Sequence, residues 1–524
     1  MTNGVSFGAI FANIGTAIDP DLPATIHDDR ATSWREFGAR TSAIAAATHA
    51  AGAVPGDRIA HLMRNSPAYL ETTVAGFKAR LVHVNVNYRY TGEELFYILD
   101  NSAAAVVVFD AEFAPLVASI RHRLETKLYL QVGGETADFA QNFDMVAATG
   151  ATLPPQDHDP GDMLFIYTGG TTGMPKGVMW EQAALWGNMR TSANPGGDPP
   201  DSLADQLDNI RHGRGRNRSL VLPPLMHGTG MIIAVSTLAR GGTVVTVPGV
   251  NFDPEAAVAT CQRLGCDYAV IVGDAFGRPL LRALDAGHGS IASLAVMISS
   301  GTMWSPETKA GLLRHAPAMM VADALGSSEG LALGMSAQTS ANAGAPTKFV
   351  ADGNTLVLGE DMQPVVPGSG VMGKVARRGM IPLGYWRDPV KSAATFVTVD
   401  GVRYSMPGDF AVVEADGSFT LLGRGSQCIN TAGEKVFPEE VEETLKTHPA
   451  IDDALVFGVA DDKWGQVVTA VVEAHSPVDA DSLRAHCRQQ LAAYKTPKKI
   501  VIVAKVPRAP NGKADYAAAK AMVG

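Results

Sequence analysis

Short apolar runs recur along most of the chain: "DRIAHLM", "AAAVVVFD", "SLVLPPL", "TVVTVPG", "YAVIVG" and "LAVMISSG". Several of them stop at a Gly or Ser. The segments between them carry helical spacing. "SWREFGARTSAIAAATHAAG" has a Ser start, apolar residues at helical intervals and a Gly stop, and "SPAYLETTVAGFKAR" reads the same way. Strands this short and apolar are buried on both faces. Alternation with helices closes them into layered, mostly parallel sheets, so the fold class is α/β. Ligands of such sheets collect beyond the carboxyl ends of the strands. The residues just after each run are therefore where chemistry is to be sought.

The texture changes twice. From about residue 350 the turn-rich "VADGNTLVLGEDMQPVVPGSGVMGKVAR" predicts a β-rich subdomain over 350–424. After "LLGRGSQ" come a helix ("FPEEVEETLKTHP"), two strands ("IDDALVFGVAD", "QVVTAVVEA") and another helix ("DSLRAHCRQQLAAYKTP"). That is a smaller α+β unit able to fold alone. The expected division is a large domain over 1–424 and a C-terminal domain over 425–524, reasonable for 524 residues.

Composition excludes some partners. A net charge of −10 argues against a nucleic-acid binder. The four cysteines, Cys261, Cys266, Cys428 and Cys487, form no CxxC or zinc spacing and read as reduced thiols of a cytoplasmic protein. The N-terminus lacks a signal-peptide pattern, and "MIIAVSTLARGGTVVTVPGV" is broken by Arg240 and two glycines before it could span a bilayer. Peripheral membrane contact and oligomerisation stay open. The basic run "RHGRGRNRS" reads as a solvated loop, with a contact for phosphates or acidic lipid as the alternative.

Four stretches carry candidate chemistry. "IYTGGTTGMPKG" follows the apolar "MLFIY" run. Gly169, Gly170 and Gly173 let backbone amides approach a ligand closely, and Thr168, Thr171 and Thr172 add hydroxyl donors. Lys176 adds a point charge, so the loop suits a polyphosphate. It is not a Walker A loop, because Pro175 precedes the lysine and Gly177 follows it. In "DALGSSEG", Glu329 offers an oxygen ligand for Mg2+. In "RYSMPGDF", Asp409 sits in a turn where it could accept hydrogen bonds from ribose hydroxyls. "PRAPNGKADY" places Lys513 on a turn near the far end. Taken singly, the last three are equally well explained as turns.

Taken in order, they resemble the adenylate-forming superfamily of acyl-CoA synthetases, luciferases and nonribosomal adenylation domains. "YTGGTTGMPKG" is similar to that family's phosphate loop, "LGSSEG" to its second nucleotide motif and "YSMPGD" to its ribose motif. "GRGSQCINTAGEKVFPEEVE" resembles its hinge and following loop, and "PNGK" its C-terminal lysine motif. The first and fourth of these also resemble the actinobacterial branch that activates long-chain fatty acids and steroid side-chain acids.

The resemblance implies two half-reactions. A carboxylate attacks the α-phosphorus of ATP, releasing pyrophosphate, and the thiol of coenzyme A then displaces AMP. It implies that Thr168, Gly169, Gly170, Thr171, Thr172 and Lys176 cradle the departing phosphates. Ser328 would touch phosphate, and Glu329 would bind Mg2+, with Thr168 as a second candidate. Ser300 and Gly301, with Asp323, Ala324, Leu325 and Gly326, would flank the adenine; Asp409 and Arg424 would hold the ribose. Lys513 would reach the carboxylate and α-phosphate, as the key catalytic residue with Lys176 and Glu329. The family's C-terminal domain is mobile and turns between the steps, which implies a hinge at Ser426 and a pantetheine tunnel lined by Gly433, Glu434 and Lys435.

The chain departs from the family pattern at Ser426, often Asp or Lys, at Leu325, often aromatic, and at Ser328, usually Thr. "PPLMHGTG" is similar to the acyl-pocket motif, with His227 in place of the Asp that meets an amino-acid ammonium in relatives. Gly228, Gly230 and Gly273 leave room for a bulky or long chain. Asp274 reads as a helix N-cap, with a pocket role as the alternative. The expected function is thus an ATP- and Mg2+-dependent acyl-CoA synthetase for an apolar acid. A loader of a separate carrier protein, a non-catalytic nucleotide binder and a luciferase-type oxygenase are the competing readings.

Overall fold

The computed structural model describes residues 4–168, 174–301, 304, 306–345, 347–424, 429–431, 434–436, 438–461, 464–507 and 515–523. The chain divides into two compact units. The first comprises Met1–Tyr88, Leu99–Ile166 and Gly177–Leu422, and the second Arg89–Ile98, Tyr167–Lys176 and Gly423–Gly524.

Most of the large unit is built on two eight-stranded sheets. In one, the strands Met320–Ser327, Val296–Ser300, Tyr268–Ile271, Arg218–Val221, Thr243–Thr246 and Pro23–His27 lie side by side in that order, all parallel. Gly330–Gln338 and Arg30–Ser33 close its two edges in antiparallel fashion. The other sheet runs Gly384–Tyr385, Lys176–Glu181, Met163–Thr168, Val82–Asn85, Arg58–Leu62, Ala104–Asp110, Leu128–Val132, Gln141–Asn142. The apolar runs of the sequence are these strands, and Thr243–Thr246 is buried along its whole length.

The helices between them start where the sequence signals them. Ser33 accepts the amide of Glu36 and caps Trp34–Ala50; Ser66 accepts that of Tyr69 and caps Pro67–Lys78, with proline in the first turn. Gly265 closes Pro254–Leu264 at φ +59°, the left-handed conformation glycine takes without strain. One apolar core packs Phe7, Phe37, Phe77, Trp180 and Trp186; another packs Val245, Ile271, Trp304 and Leu312.

Farther along, Thr355–Leu358, Met372–Arg378, Phe396–Val399, Val402–Ser405, Asp409–Val413 and Phe419–Arg424 form a six-stranded sheet. In the small unit, Ile451–Asp461 and Gly465–Ala474 form a long antiparallel pair, and Lys499–Val503 adds to it in parallel. The helices Pro438–Lys446 and Ala480–Gln490 belong to this unit, and Val441, Leu445, Leu483 and Cys487 fill its core. Glu94 and Lys495, both buried there, meet at 3.0 Å. Cys261, Cys266 and Cys487 are free, buried thiols; Cys428 lies outside the described residues. The basic loop is braced locally: Arg214 pairs with Asp208, Arg216 donates to the Ile210 carbonyl and Arg218 to that of Leu264.

Two imidazoles are sealed between adjacent parallel strands. The rings of His61 and His83 stand 4.4 Å apart, edge to face, and both residues are fully or almost fully buried. Their polar neighbours are distant, with Tyr69 Oη 3.4 Å from His83 Nε2 and Thr73 Oγ1 3.4 Å from His61 Nδ1. Burial holds His61 well below its ordinary value and His83 at about 4. Both rings are therefore neutral in the fold, while the unfolded chain takes up protons below about pH 6.5. The stability they lend is complete above that pH and is lost as pH falls toward about 4. The urea midpoint of the wild type is expected to drop between pH 7 and pH 5 by more than that of His83→Gln. Equal drops would show that the ring stays neutral in both states.

Candidate active site

The carboxyl ends of the parallel strands gather a set of loops with little freedom. After Arg218–Val221 the chain runs through "LPPLMH" into the helix Gly228–Ala239. Two asparagines from the ends of neighbouring-sheet strands hold this passage. Asn65 donates to the Pro223 carbonyl at 3.0 Å and accepts from the Leu225 amide at 2.7 Å. Asn85 donates to the Met226 carbonyl at 2.7 Å.

His227 is the half-buried N-cap residue of that helix and contributes no side-chain cap. At Gly228 an added Cβ would lie 3.7 Å from Ile232 and 3.9 Å from Ile166, ordinary contact distances. At Gly230 it would fall 2.6 Å from the Pro224 carbonyl oxygen. Gly230 thus serves close backbone packing, and the reading that it opens the acyl pocket does not hold.

Gly273 begins the helix Gly273–Asp285 at φ +52°, and its amide donates to Ser299 Oγ at 2.9 Å. The N-cap is Val272, which makes no side-chain cap bond. Asp274 is the second residue of the helix, so the expectation that it is the N-cap is corrected. The glycine's left-handed start sets the boundary two residues earlier than the sequence suggested. Ser300 and Gly301 follow at the end of the next strand, with Ser300 in register with Ala324. Gly301 takes φ +93°, and an added Cβ there would lie at ordinary contact distance from Val272 and Thr229.

Asp323 is buried at 4% exposure and held by a lysine that sequence reasoning missed. Lys309, fully buried on the helix Pro306–His315, brings Nζ to 2.5 Å from Asp323 Oδ2 and 2.7 Å from Thr347 Oγ1. Burial raises the Asp323 carboxyl above its usual range despite the ammonium beside it. Of the neighbouring positions, Ala324 packs against the main core and Leu325 against the core of the β-rich subdomain, beside Leu333, Phe349 and Phe419. An added Cβ at Gly326 would lie 3.4 Å from the Gly330 carbonyl oxygen, where this strand turns into Gly330–Gln338.

That turn carries Ser328 and Glu329, both half-buried, and three side chains clasp it. Trp180 Nε1 donates to the Ser328 carbonyl at 2.8 Å, Ser405 Oγ to the Glu329 carbonyl at 2.5 Å, and Tyr385 Oη to Glu329 Oε1 at 2.8 Å. Asp409 is buried and opens the strand Asp409–Val413 directly after Gly408 at φ +98°. Arg424 ends the strand Phe419–Arg424.

In the small unit, Thr168 ends one strand and Lys176 begins the next. Glu434 is buried and ion-pairs with Arg89; with Lys435 it belongs to the strand Glu434–Val436. Gly169, Gly170, Thr171, Thr172, Ser426, Gly433 and Lys513 lie outside the described residues. Among the described residues, no group of three or more His, Cys, Asp or Glu could hold a metal alone, and no helix is long and apolar enough to cross a membrane.

Breaking a buried ion pair from one side leaves the other charge stranded. Lys309→Met is expected to lower unfolding free energy by about 3–5 kcal/mol in urea titrations, and Lys309→Met with Asp323→Asn to recover much of it. A single variant as stable as the wild type would show that Asp323 protonates at no cost.

Comparison with known proteins converges on one family. Residues 16–386 match the model of the AMP-binding enzyme, and residues 440–513 that of the AMP-binding enzyme C-terminal domain. The chain is 38% identical to the medium-chain acyl-CoA ligase Mig of Mycobacterium avium, over 98% of both chains. It is 37% identical to the 3-oxocholest-4-en-26-oate–CoA ligase of Rhodococcus rhodochrous, over 97% of this chain and 94% of that one. Among solved structures, the amide bond synthetase McbA of Marinactinospora thermotolerans superposes with a TM-score of 0.82 at 22% identity, over 99% of both chains. The o-succinylbenzoate CoA synthetase of Bacillus subtilis does so with 0.78 at 22% identity, over 97% of both. This chain belongs to the AMP-binding enzyme family.

Proposed function

We propose that the protein is an AMP-forming acyl-CoA synthetase, which joins an apolar carboxylic acid to coenzyme A at the expense of ATP. The observation that carries this reading is the end-to-end similarity to two CoA ligases, at 38% and 37% identity. Those relatives are named for a medium-chain acyl substrate and for a steroid side-chain acid. The acid proposed here is accordingly a medium- or long-chain fatty acid or a steroid-type acid, activated in the cytoplasm. His227, where an ammonium-binding Asp would be needed, and the apolar Ile232 and Ile166 beside Gly228 support an apolar substrate over an amino acid.

The residues divide the work by the charge they meet. Adenylation builds negative charge on the α-phosphate and on the departing pyrophosphate, and cations and amides already in place lower its cost. Lys176 and the connection from Thr168 to Thr172 hold the leaving phosphates. Lys513 neutralises charge at the reacting carboxylate and α-phosphate. Asp409 and Arg424 hold the ribose hydroxyls, while Ser300, Gly301 and the Asp323–Gly326 segment flank the adenine.

The donor set suits magnesium. Glu329 Oε1 takes the Tyr385 hydroxyl, and among the described residues Oε2 accepts no hydrogen bond, which leaves one carboxylate oxygen for a hard cation otherwise coordinated by phosphates and water. When bound, the ion would supply charge neutralisation on the phosphates. In the second half-reaction the coenzyme A thiol displaces AMP past Gly433, Glu434 and Lys435. The C-terminal domain serves the two steps in alternation, with Ser426 at the pivot.

Two measurements test this. With Lys513→Ala, ATP–pyrophosphate exchange should fall by about 10²-fold or more, while thioester formation from supplied acyl-adenylate should persist. Equal loss in both steps would remove Lys513 from its assigned role. A panel of medium-chain, long-chain, steroid, aromatic and amino acids is expected to give CoA-dependent AMP release only with the apolar acids. Turnover on amino acids alone would overturn the pocket reading, and adenylation without CoA dependence would favour a carrier-protein loader.

A further inference from the structure

We infer that Tyr385 is a positioning residue for Glu329: its hydroxyl fixes one carboxylate oxygen so that the other is presented to the magnesium of the bound nucleotide. The inference rests on the reading of Glu329 as the metal ligand and goes beyond it by naming what orients that ligand. Its basis is the division of labour around the Ser328–Glu329 turn. Backbone position is already secured by Trp180, which holds the Ser328 carbonyl, and by Ser405, which holds that of Glu329. Neither touches the carboxylate. A half-buried glutamate on a fixed backbone still rotates about its side-chain bonds, and ordering it costs conformational entropy at each binding event. Tyr385 meets that cost in advance through its 2.8 Å bond to Oε1.

The tyrosine is itself held firmly. Its strand pairs antiparallel with Lys176–Glu181, Tyr385 opposite Val178 and Gly384 opposite Met179. The Trp386 amide donates to the Gly177 carbonyl at 2.8 Å, and the Tyr385 ring packs on Phe396 with centroids 5.7 Å apart. None of these contacts needs the hydroxyl group, so Tyr385→Phe retains them while removing the bond to Glu329.

The test compares Tyr385→Phe and Glu329→Gln with the wild type in two readouts. Calorimetry gives the affinity for ATP with excess magnesium and for ATP in EDTA. ATP–pyrophosphate exchange gives the magnesium concentration for half-maximal rate. For Tyr385→Phe, affinity for the magnesium complex should fall and the magnesium requirement rise about fivefold, the size of one ordinary hydrogen bond, with metal-free ATP affinity unchanged. Glu329→Gln should shift both magnesium-dependent readouts further. A shift in Glu329→Gln with none in Tyr385→Phe, or equal weakening of metal-free ATP in Tyr385→Phe, overturns the inference alone. No shift in Glu329→Gln overturns the metal reading of Glu329, and the inference with it.

Discussion

Parallel pairing sends every strand's carboxyl end to the same edge of a sheet, and the large unit depends on this constraint. Six strands from Pro23–His27 to Met320–Ser327 lie parallel in one sheet. The loops that leave them at Leu222, Val272, Gly301 and Ser328 therefore share one edge, although they are far apart in sequence. The sheet must be covered on both faces, which is why its strands read as bare apolar runs. Polar residues are admitted at the edge, where the pattern ends.

Several polar groups retained inside are paired, and some of those pairs secure a backbone. Asn65 and Asn85 hold the passage to His227 by its carbonyls and one amide. Lys309 holds Asp323 against Thr347. A buried ammonium–carboxylate pair is a weak source of net stability, because desolvation consumes most of the Coulomb gain. Its effect is geometric, since it ties the helix Pro306–His315 to the strand Met320–Ser327. The two buried imidazoles have a different character, for they are tolerated only while neutral.

Much of the fold was legible because periodicity is local. The strands Arg58–Leu62, Ala104–Asp110 and Val296–Ser300, and the helices capped by Ser33 and Ser66, stand where apolar spacing and cap residues put them. The family was legible from the order of its motifs. The strand Val82–Asn85 was not, because His83 and Asn85 interrupt its apolar pattern while being fully buried. Asp274 was misread because an acidic residue near a helix start looks like a cap, and only φ +52° at Gly273 shows where the helix begins. Gly230 looked like empty space, yet a carbonyl fills it. Tyr385, Trp180, Ser405 and Lys309 reach their partners across long sequence separations, and no local signal carries such contacts.

The clasp of the Ser328–Glu329 turn has an electrostatic consequence. Trp180 and Ser405 both donate, and both donate to carbonyl oxygens. A tight turn ordinarily directs some carbonyl dipoles outward, each presenting partial negative charge. Here two successive ones are quenched by an indole N–H and a hydroxyl. The turn thereby sheds the diffuse negative potential of its backbone and leaves the Glu329 carboxylate as its one full negative charge.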